Sequence, residues 1–232
     1  TTAKKKTHPL KTIKTLCRNK YFILITLAFA VIYTSLGLTG GSRIYYAKYV
    51  LGDEMLNSTM TMFNYIPTIL TIMLIPVFTK RFGKIKALFV GFLFYAAGLV
   101  LEIAGPVNLP MIYTGLVLQG IGHAALYSCL FAIVGDVVDY SEWKDGVREE
   151  GITYSVTSFG QKIGTGLGTA ALGWILAAGH YDGTAAVQSA SAIFAIKGLF
   201  LYLPLVITVI VLIIWYLFMG IDKIYPTVRK EL

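Results

Sequence analysis

Charge is scarce in this sequence. Asp, Glu, Lys and Arg make up 14% of the 232 residues, where a soluble domain carries about 25%, so a water-solvated globule is excluded. Cysteine is scarcer still. Cys17 and Cys129 are the two in the chain, one at the border of an apolar run and one inside another, which excludes a disulfide framework and any metal-spaced cysteine pair. No metal-spaced histidines, no nucleophile with its base and no phosphate-binding loop can be assembled, so the residues do not describe an enzyme and call for no bound cofactor or metal. Acid is the last shortage. Among 12 Asp and Glu residues, none falls near the middle of an apolar run.

Hydrocarbon fills the chain instead: hydrophobic residues are 56% of it and the mean hydropathy is +0.70. Crossing a core of about 30 Å at 1.5 Å per residue takes about 20 apolar residues. Six stretches qualify, over roughly 21–46, 60–78, 87–104, 109–138, 152–178 and 193–221. In lipid, backbone groups must pair within the segment or in a closed barrel, and runs of this length without alternation mean helices. The expected fold is therefore all-α and membrane-embedded, with residues 1–20 as a basic linker, 21–221 as a six-helix bundle and 222–232 as a tail.

Lysine and arginine set the expected orientation. Lys4, Lys5, Lys6, Lys11, Lys14, Arg18 and Lys20 precede the first span, Lys80, Arg81, Lys84 and Lys86 follow the second, Lys144 and Arg148 follow the fourth, and Lys223, Arg229 and Lys230 follow the sixth. The opposite loops hold Lys48 and Lys197, so the positive-inside rule puts both ends in the cytoplasm of a multi-pass protein of the cell's inner (plasma) membrane. The basic N-terminal stretch also fits a nucleic-acid arm or an anionic-lipid patch. As a topogenic segment it needs no partner beyond membrane lipid. The chain opens at Thr1 rather than methionine, which reads as the interior of something longer.

Lys162 is the informative exception to the apolar runs. It sits close to the middle of the fifth, where holding a charge costs roughly 2.5 to 3.5 kcal/mol on insertion scales, and where such residues face water-filled cavities on substrate or ion paths. Ser155, Ser158, Lys162, Thr165 and Thr169 recur at spacings of three and four, which puts them on one helical face. Gly160, Gly164 and Gly168 form a different face, at the spacing that lets another helix approach closely.

Other spans carry lesser versions of this lining. The second has Thr61, Asn64, Thr68 and Thr71 on one face, with Pro67 and Pro76 able to kink it; the fourth has Gln119, His123 and Tyr127 at four-residue steps; the first has Tyr33 and Gly37. These groups suit a polyhydroxylated ligand, whose hydroxyls need donors and acceptors and whose ring faces stack on aromatics. His123 fits an interhelical hydrogen bond equally well. Arg43 and Glu102 fall near span ends, where snorkelling or a local pair accounts for them. With no acid at its depth, Lys162 needs a partner from another bundle, and six helices with an unmatched lysine describe half of a two-bundle transporter.

The loop after the fourth span carries a pattern. Asp136, Asp139, Tyr140, Glu142, Gly146, Arg148, Glu150 and Gly151 form D-x-x-D-Y-x-E-x-x-x-G-x-R-x-E-G, with Lys162-Ile163-Gly164 eleven residues on. Together with the phrases at Tyr46 to Gly52, Lys80-Arg81-Phe82-Gly83-Lys84 and Gly179-His180-Tyr181, it resembles the glycoside-pentoside-hexuronide:cation symporter family, the melibiose-permease branch of the major facilitator superfamily. The likeness runs over the whole chain, as that family's C-terminal half. It implies a twelve-helix fold of two six-helix bundles, a sugar site between them and coupling to sodium or a proton. It also implies that Lys162 is the lysine of helix eleven, in the cavity near the sugar and the cation-site carboxylates, and that Thr157 and Ser158 lie near sugar-lining positions. The family's cation-binding and principal sugar-binding aspartates belong to the N-terminal half, so the coupling cation is expected mainly there, and a six-helix N-terminal bundle is the expected partner. Asp145 stands where many members have threonine, and no function attaches to it.

Asp136, Asp139, Glu142, Asp145, Glu149 and Glu150 around Arg148 supply enough charge for a cytoplasmic gate whose ion pairs part and rejoin, although a solvated loop would carry pairs worth only about 0 to 1 kcal/mol each. The leading expectation is sugar:cation symport by alternating access. The alternatives are an exporter of amphipathic compounds built on a similar bundle, and a non-transporting six-helix subunit that scaffolds or senses.

Overall fold

The computed structural model describes residues 18–146, 148 and 150–232. Cys17 and the lysines before it, Glu149 and the Asp145 side chain lie outside the described residues. Among those described, every regular element is helical: α1 Lys20–Tyr49, α2 Leu56–Ile72, α3 Ile75–Phe82, α4 Lys84–Ala104, α5 Leu109–Asp145, α6 Glu150–Ala178, α7 Ala190–Lys197, α8 Leu203–Phe218 and α9 Gly220–Glu231, with a π-helical turn at Gly198–Tyr202 joining α7 to α8. The loops at 50–55, 105–108 and 179–189 lie at one end of the bundle. The start of α1, the α3–α4 corner, Gly146, Arg148 and α9 lie at the other, called here the Arg148 end.

Four of these segments are long and apolar enough to cross a membrane: Lys20–Tyr49, Lys84–Ala104, Leu109–Lys144 and Ala190–Phe218. A fifth is added if α2 and α3 form one span, bent by 55°. The bend falls at Met73 and Leu74, just before Pro76, whose missing N–H restarts the helix there. Pro67 lies inside α2 without ending it. α6 has the length, at 29 residues, but its polar stripe keeps it outside this set.

Small residues set the packing. α1 and α6 run side by side, as do α4 with α5 and α2 with α5. A methyl group added at Gly164 or Gly168 would overlap the carbonyls of Ala30 and Thr34 on α1, so these glycines fix how closely α6 approaches, as small-residue seams do in membranes. Asn19 caps α1, accepting from Tyr21 N–H at 3.0 Å and donating to Ser141 at 2.8 Å, which ties the entry of α1 to α5. One apolar cluster, around Phe29, Leu88, Trp215 and Phe218, fills the Arg148 end; another, around Tyr46, Met60, Leu199 and Phe200, fills the opposite end.

Gly168→Ala is expected to destabilise the full-length protein by about 1–3 kcal/mol, the usual cost of overpacking, and to lower its thermal unfolding midpoint. Gly166→Ala is expected to leave the midpoint unchanged, because nothing lies within 4 Å of a methyl at that exposed position.

Candidate functional site

α6 meets three different surroundings. Thr153, Thr157, Gly160, Gly164 and Gly168 are buried in the seam with α1. Phe159, Ile163, Leu167 and Trp174 are large apolar side chains exposed on a second sector. Between these two, Ser155, Lys162, Thr165 and Thr169 are exposed on a third, with Ser158 half-buried beside them. The Thr165 and Thr169 hydroxyls donate to the carbonyls of Gln161 and Thr165, one turn back, at 3.0 Å each. Lys162 makes no ion pair among the described residues, and an open groove at its foot is lined by Tyr154, Ser155, Ser158, Phe159 and Lys162.

The other expected lining residues divide. Tyr127 is half-exposed, and His123 is half-buried with its ring 5.0 Å from that of Tyr95 and 5.8 Å from that of Tyr127. Tyr33 is half-buried and stacked on Phe29 at 5.9 Å. Three expectations need correction. Thr157 is fully buried in the α1 seam, its hydroxyl donating to the Thr153 and Tyr154 carbonyls. Asn64 is buried between α2 and α5, donating to the Leu116 carbonyl at 3.2 Å, while Thr68 donates to that of Gly120 at 3.0 Å. Gln119 is buried and bonds Glu102 at 2.7 Å. These polar groups hold helices together and do not face the open side. Of the two accounts expected for Glu102, snorkelling or a local pair, snorkelling does not hold, since its side chain turns into the bundle, is fully buried and accepts from Gln119.

At the Arg148 end the acidic pattern closes on itself. Arg148 pairs with Asp139 at 3.1 Å, Glu142 at 2.5 Å and Glu150 at 2.5 Å. Glu142, and then Glu150, push the guanidinium pKa above its ordinary value. Asp136 is held apart from that cluster by Lys84, whose ammonium reaches both of its carboxylate oxygens at 2.7 and 2.9 Å. Tyr225 of α9 donates to Asp139 at 2.9 Å, and Asp222 of α9 accepts from Lys86 N–H at 3.2 Å, so α9 clasps the start of α4 to the end of α5. Lys84 and Tyr225 are absent from the sequence expectation for this cluster. Lys84 closes the 80–84 phrase quoted above, which was the available signal, whereas nothing local marks Tyr225. Tyr154 borders both the cleft between Asp139 and Arg148 and the groove below Lys162, so the two are adjacent.

A polar, lysine-bearing sector on an otherwise apolar helical bundle is transporter geometry, and comparison with known proteins names the kind. Residues 1–223 match the MFS/sugar transport protein family. The chain belongs to that family. It is 32% identical to the isoprimeverose transporter of Lactiplantibacillus pentosus over 100% of this chain and 48% of that protein. It is 28% identical to a putative 2,3-dihydroxypropane-1-sulfonate exporter of Salmonella typhimurium (96% of this chain, 48% of that protein). It is 27% identical to the glucuronide carrier protein homolog of Escherichia coli (95% and 48%). The chain thus spans about half the length of the curated relatives it matches. Membership of a transport family and the apolar helices make this a multi-pass membrane protein.

Within this family member, the Lys84–Asp136 pair offers a stability test. The Asp136 side chain is 7% exposed and that of Lys84 34%. Lys84→Ala therefore strands a nearly buried carboxylate, at a cost of about 1–3 kcal/mol. Thermal unfolding should show that loss, and adding Asp136→Asn to Lys84→Ala should recover part of it. An unchanged midpoint for Lys84→Ala would contradict the pairing.

Proposed function

We propose that this chain is the C-terminal six-helix bundle of a sugar:cation symporter working by alternating access, and that it acts with an N-terminal six-helix bundle carried on the same longer chain, on a separate chain or as a second copy. Lys162 carries the reading. An ammonium on an exposed polar sector, among spans built for lipid, is stable only against water, a ligand or a facing carboxylate. Ser155, Ser158 and Thr165 offer hydroxyls at the same surface, and Tyr154 and Phe159 offer rings beside them. That combination suits a sugar's hydroxyls and its apolar ring face.

The substrate class in this reading is a glycoside, pentoside or hexuronide, moved without covalent chemistry. Sodium or a proton would bind mainly on carboxylates of the N-terminal bundle, near enough for Lys162 to sense whether cation and sugar are present. In this reading the Arg148 end faces the cytoplasm at the inner membrane, which the basic loops favour. There the Arg148 cluster would part when the inner mouth opens and rejoin when it closes. The relative named as a putative sulfonate exporter favours a second reading, outward transport of a small anionic compound, because an ammonium at Lys162 suits a sulfonate as well as a hydroxyl. Competition decides between the two: sugars block uptake in the first reading and leave export untouched in the second.

Lys162→Ala in the full-length protein is expected to abolish cation-driven sugar uptake while leaving the protein in the membrane. Concentrative uptake at the unmodified level would contradict the reading. Arg148→Ala is expected to cut the transport rate without reducing insertion, and normal uptake by that variant would remove the gate from the account.

A further inference from the structure

Away from the polar sector of α6, the bundle holds a second ionisable site. Glu102 lies near one end of α4, yet it points inward and is fully buried. Gln119 Nε2 of α5 donates to its Oε1 at 2.7 Å, and its Oε2 has no hydrogen-bond partner. The α4–α5 contact is built for this conformer: a methyl at Gly115 would lie 2.6 Å from Glu102 Cγ, so glycine makes the room. On α1, Arg43 lies within electrostatic reach of Glu102, but no ion pair joins them among the described residues. Arg43 donates instead to the neutral Thr61 hydroxyl at 3.2 Å, and its buried Nε has no partner.

The remaining titratable neighbours are mostly phenols. Tyr46 comes from α1, Tyr65 from α2, Tyr127 from α5, Tyr202 from the π-helical turn and Tyr95 from α4 itself. The Tyr46 hydroxyl is committed to the Pro106 carbonyl. His123 of α5 lies beside Tyr95. Among the described residues, no second carboxyl is found beside the pair.

Burying a carboxylate with one neutral hydrogen bond is so costly that the group takes up a proton instead, unless a cation pairs with it. A guanidinium keeps its charge at any accessible pH. The cation is present here, within electrostatic reach and in no ion pair among the described residues. We propose that Glu102 is a proton-binding site inside this bundle, protonated while Arg43 stands apart and ionised when α1 brings Arg43 onto it. The proton adds to Oε2 from water and returns to water as the ion pair closes. Tyr65 and Tyr127, both half-exposed beside Arg43, mark the open side from which water reaches the pair. Any coupling of this proton to sugar movement rests on the transport reading above; the protonation itself does not.

Infrared difference spectroscopy on the purified full-length protein in lipid tests the site. The protonated-carboxyl stretch should be present at neutral pH, lost in Glu102→Gln, and moved to higher wavenumber in Gln119→Leu, which keeps the acid and removes its hydrogen bond. In Arg43→Gln the band should persist to higher pH than in the unmodified protein, because the positive charge that favours ionisation is gone. If Glu102→Gln does not fold, the Gln119 and Arg43 variants carry the test alone. Absence of such a band, or a band indifferent to these substitutions, overturns the proposal. Sugar exchange by the unmodified protein in vesicles is measured in parallel: no exchange with a Glu102 band present refutes the transport reading and leaves the proton site standing, and exchange without the band does the reverse.

Discussion

Everything that gives this bundle a working face depends on how tightly α6 is drawn against α1. Gly160, Gly164 and Gly168 bring α6 up to the backbone of Ala30 and Thr34, and once that sector is spent on contact, the rotation of α6 is fixed. Phe159, Ile163 and Leu167 then turn to one exposed side and Ser155, Lys162 and Thr165 to another. A membrane helix gains no hydrophobic energy from burying one apolar face against another, so close van der Waals approach does the orienting. In the proposed reading, the cost of exposing an ammonium is tolerable because the rotation aims it away from lipid and toward the side where another bundle, water or ligand can meet it.

The second organising feature is how charge is distributed. Among the described residues, acid and base concentrate at the Arg148 end, where Lys84–Asp136 and the Arg148 cluster link α4, α5 and α6, and α9 fastens α4 and α5 from outside. The Arg148 pairs, at a partly solvated surface, contribute little stability individually, so that cluster can break and reform at small cost, whereas Lys84–Asp136, with its carboxylate nearly buried, cannot. The interior retains three exceptions, Lys162 on the open sector and Arg43 and Glu102 within the packed helices.

Much of this was legible in the sequence, and the misses have physical causes. The 3.6-residue period separated the stripe of Lys162 from the stripe of Gly164, because side chains three and four apart share a face. The same period explains the error at Thr157: its neighbour Ser158 borders the open sector, but adjacent residues point about 100° apart on a helix, which turns Thr157 into the glycine seam. Asn64, Thr68 and Gln119 expose a deeper limit. A polar stripe that bonds a neighbouring helix and one that faces water look alike in sequence; only the partners, Leu116 and Gly120 carbonyls and Glu102, tell them apart. Glu102 was read by its distance from the span end, a sound rule for side chains with nothing opposite them, and it failed because Gly98 and Gly115 open a space between α4 and α5. The apolar runs showed where helices lie, but the polar stripe of α6 is also what keeps it from meeting the apolarity of a span.

The central claim is that the Lys162 sector of α6 borders a water-filled substrate path while the Phe159 sector borders lipid. Single cysteines along α6 of the full-length protein, in a background lacking Cys17 and Cys129, test this by reaction with a small polar thiol reagent. The account predicts rapid labelling at positions 155, 158, 165 and 169, slowed by bound sugar, and little labelling at 159, 163 and 167, although side chains of both sectors are exposed in this bundle. Equal labelling around the helix, or labelling of the hydroxyl stripe that sugar does not affect, would contradict it.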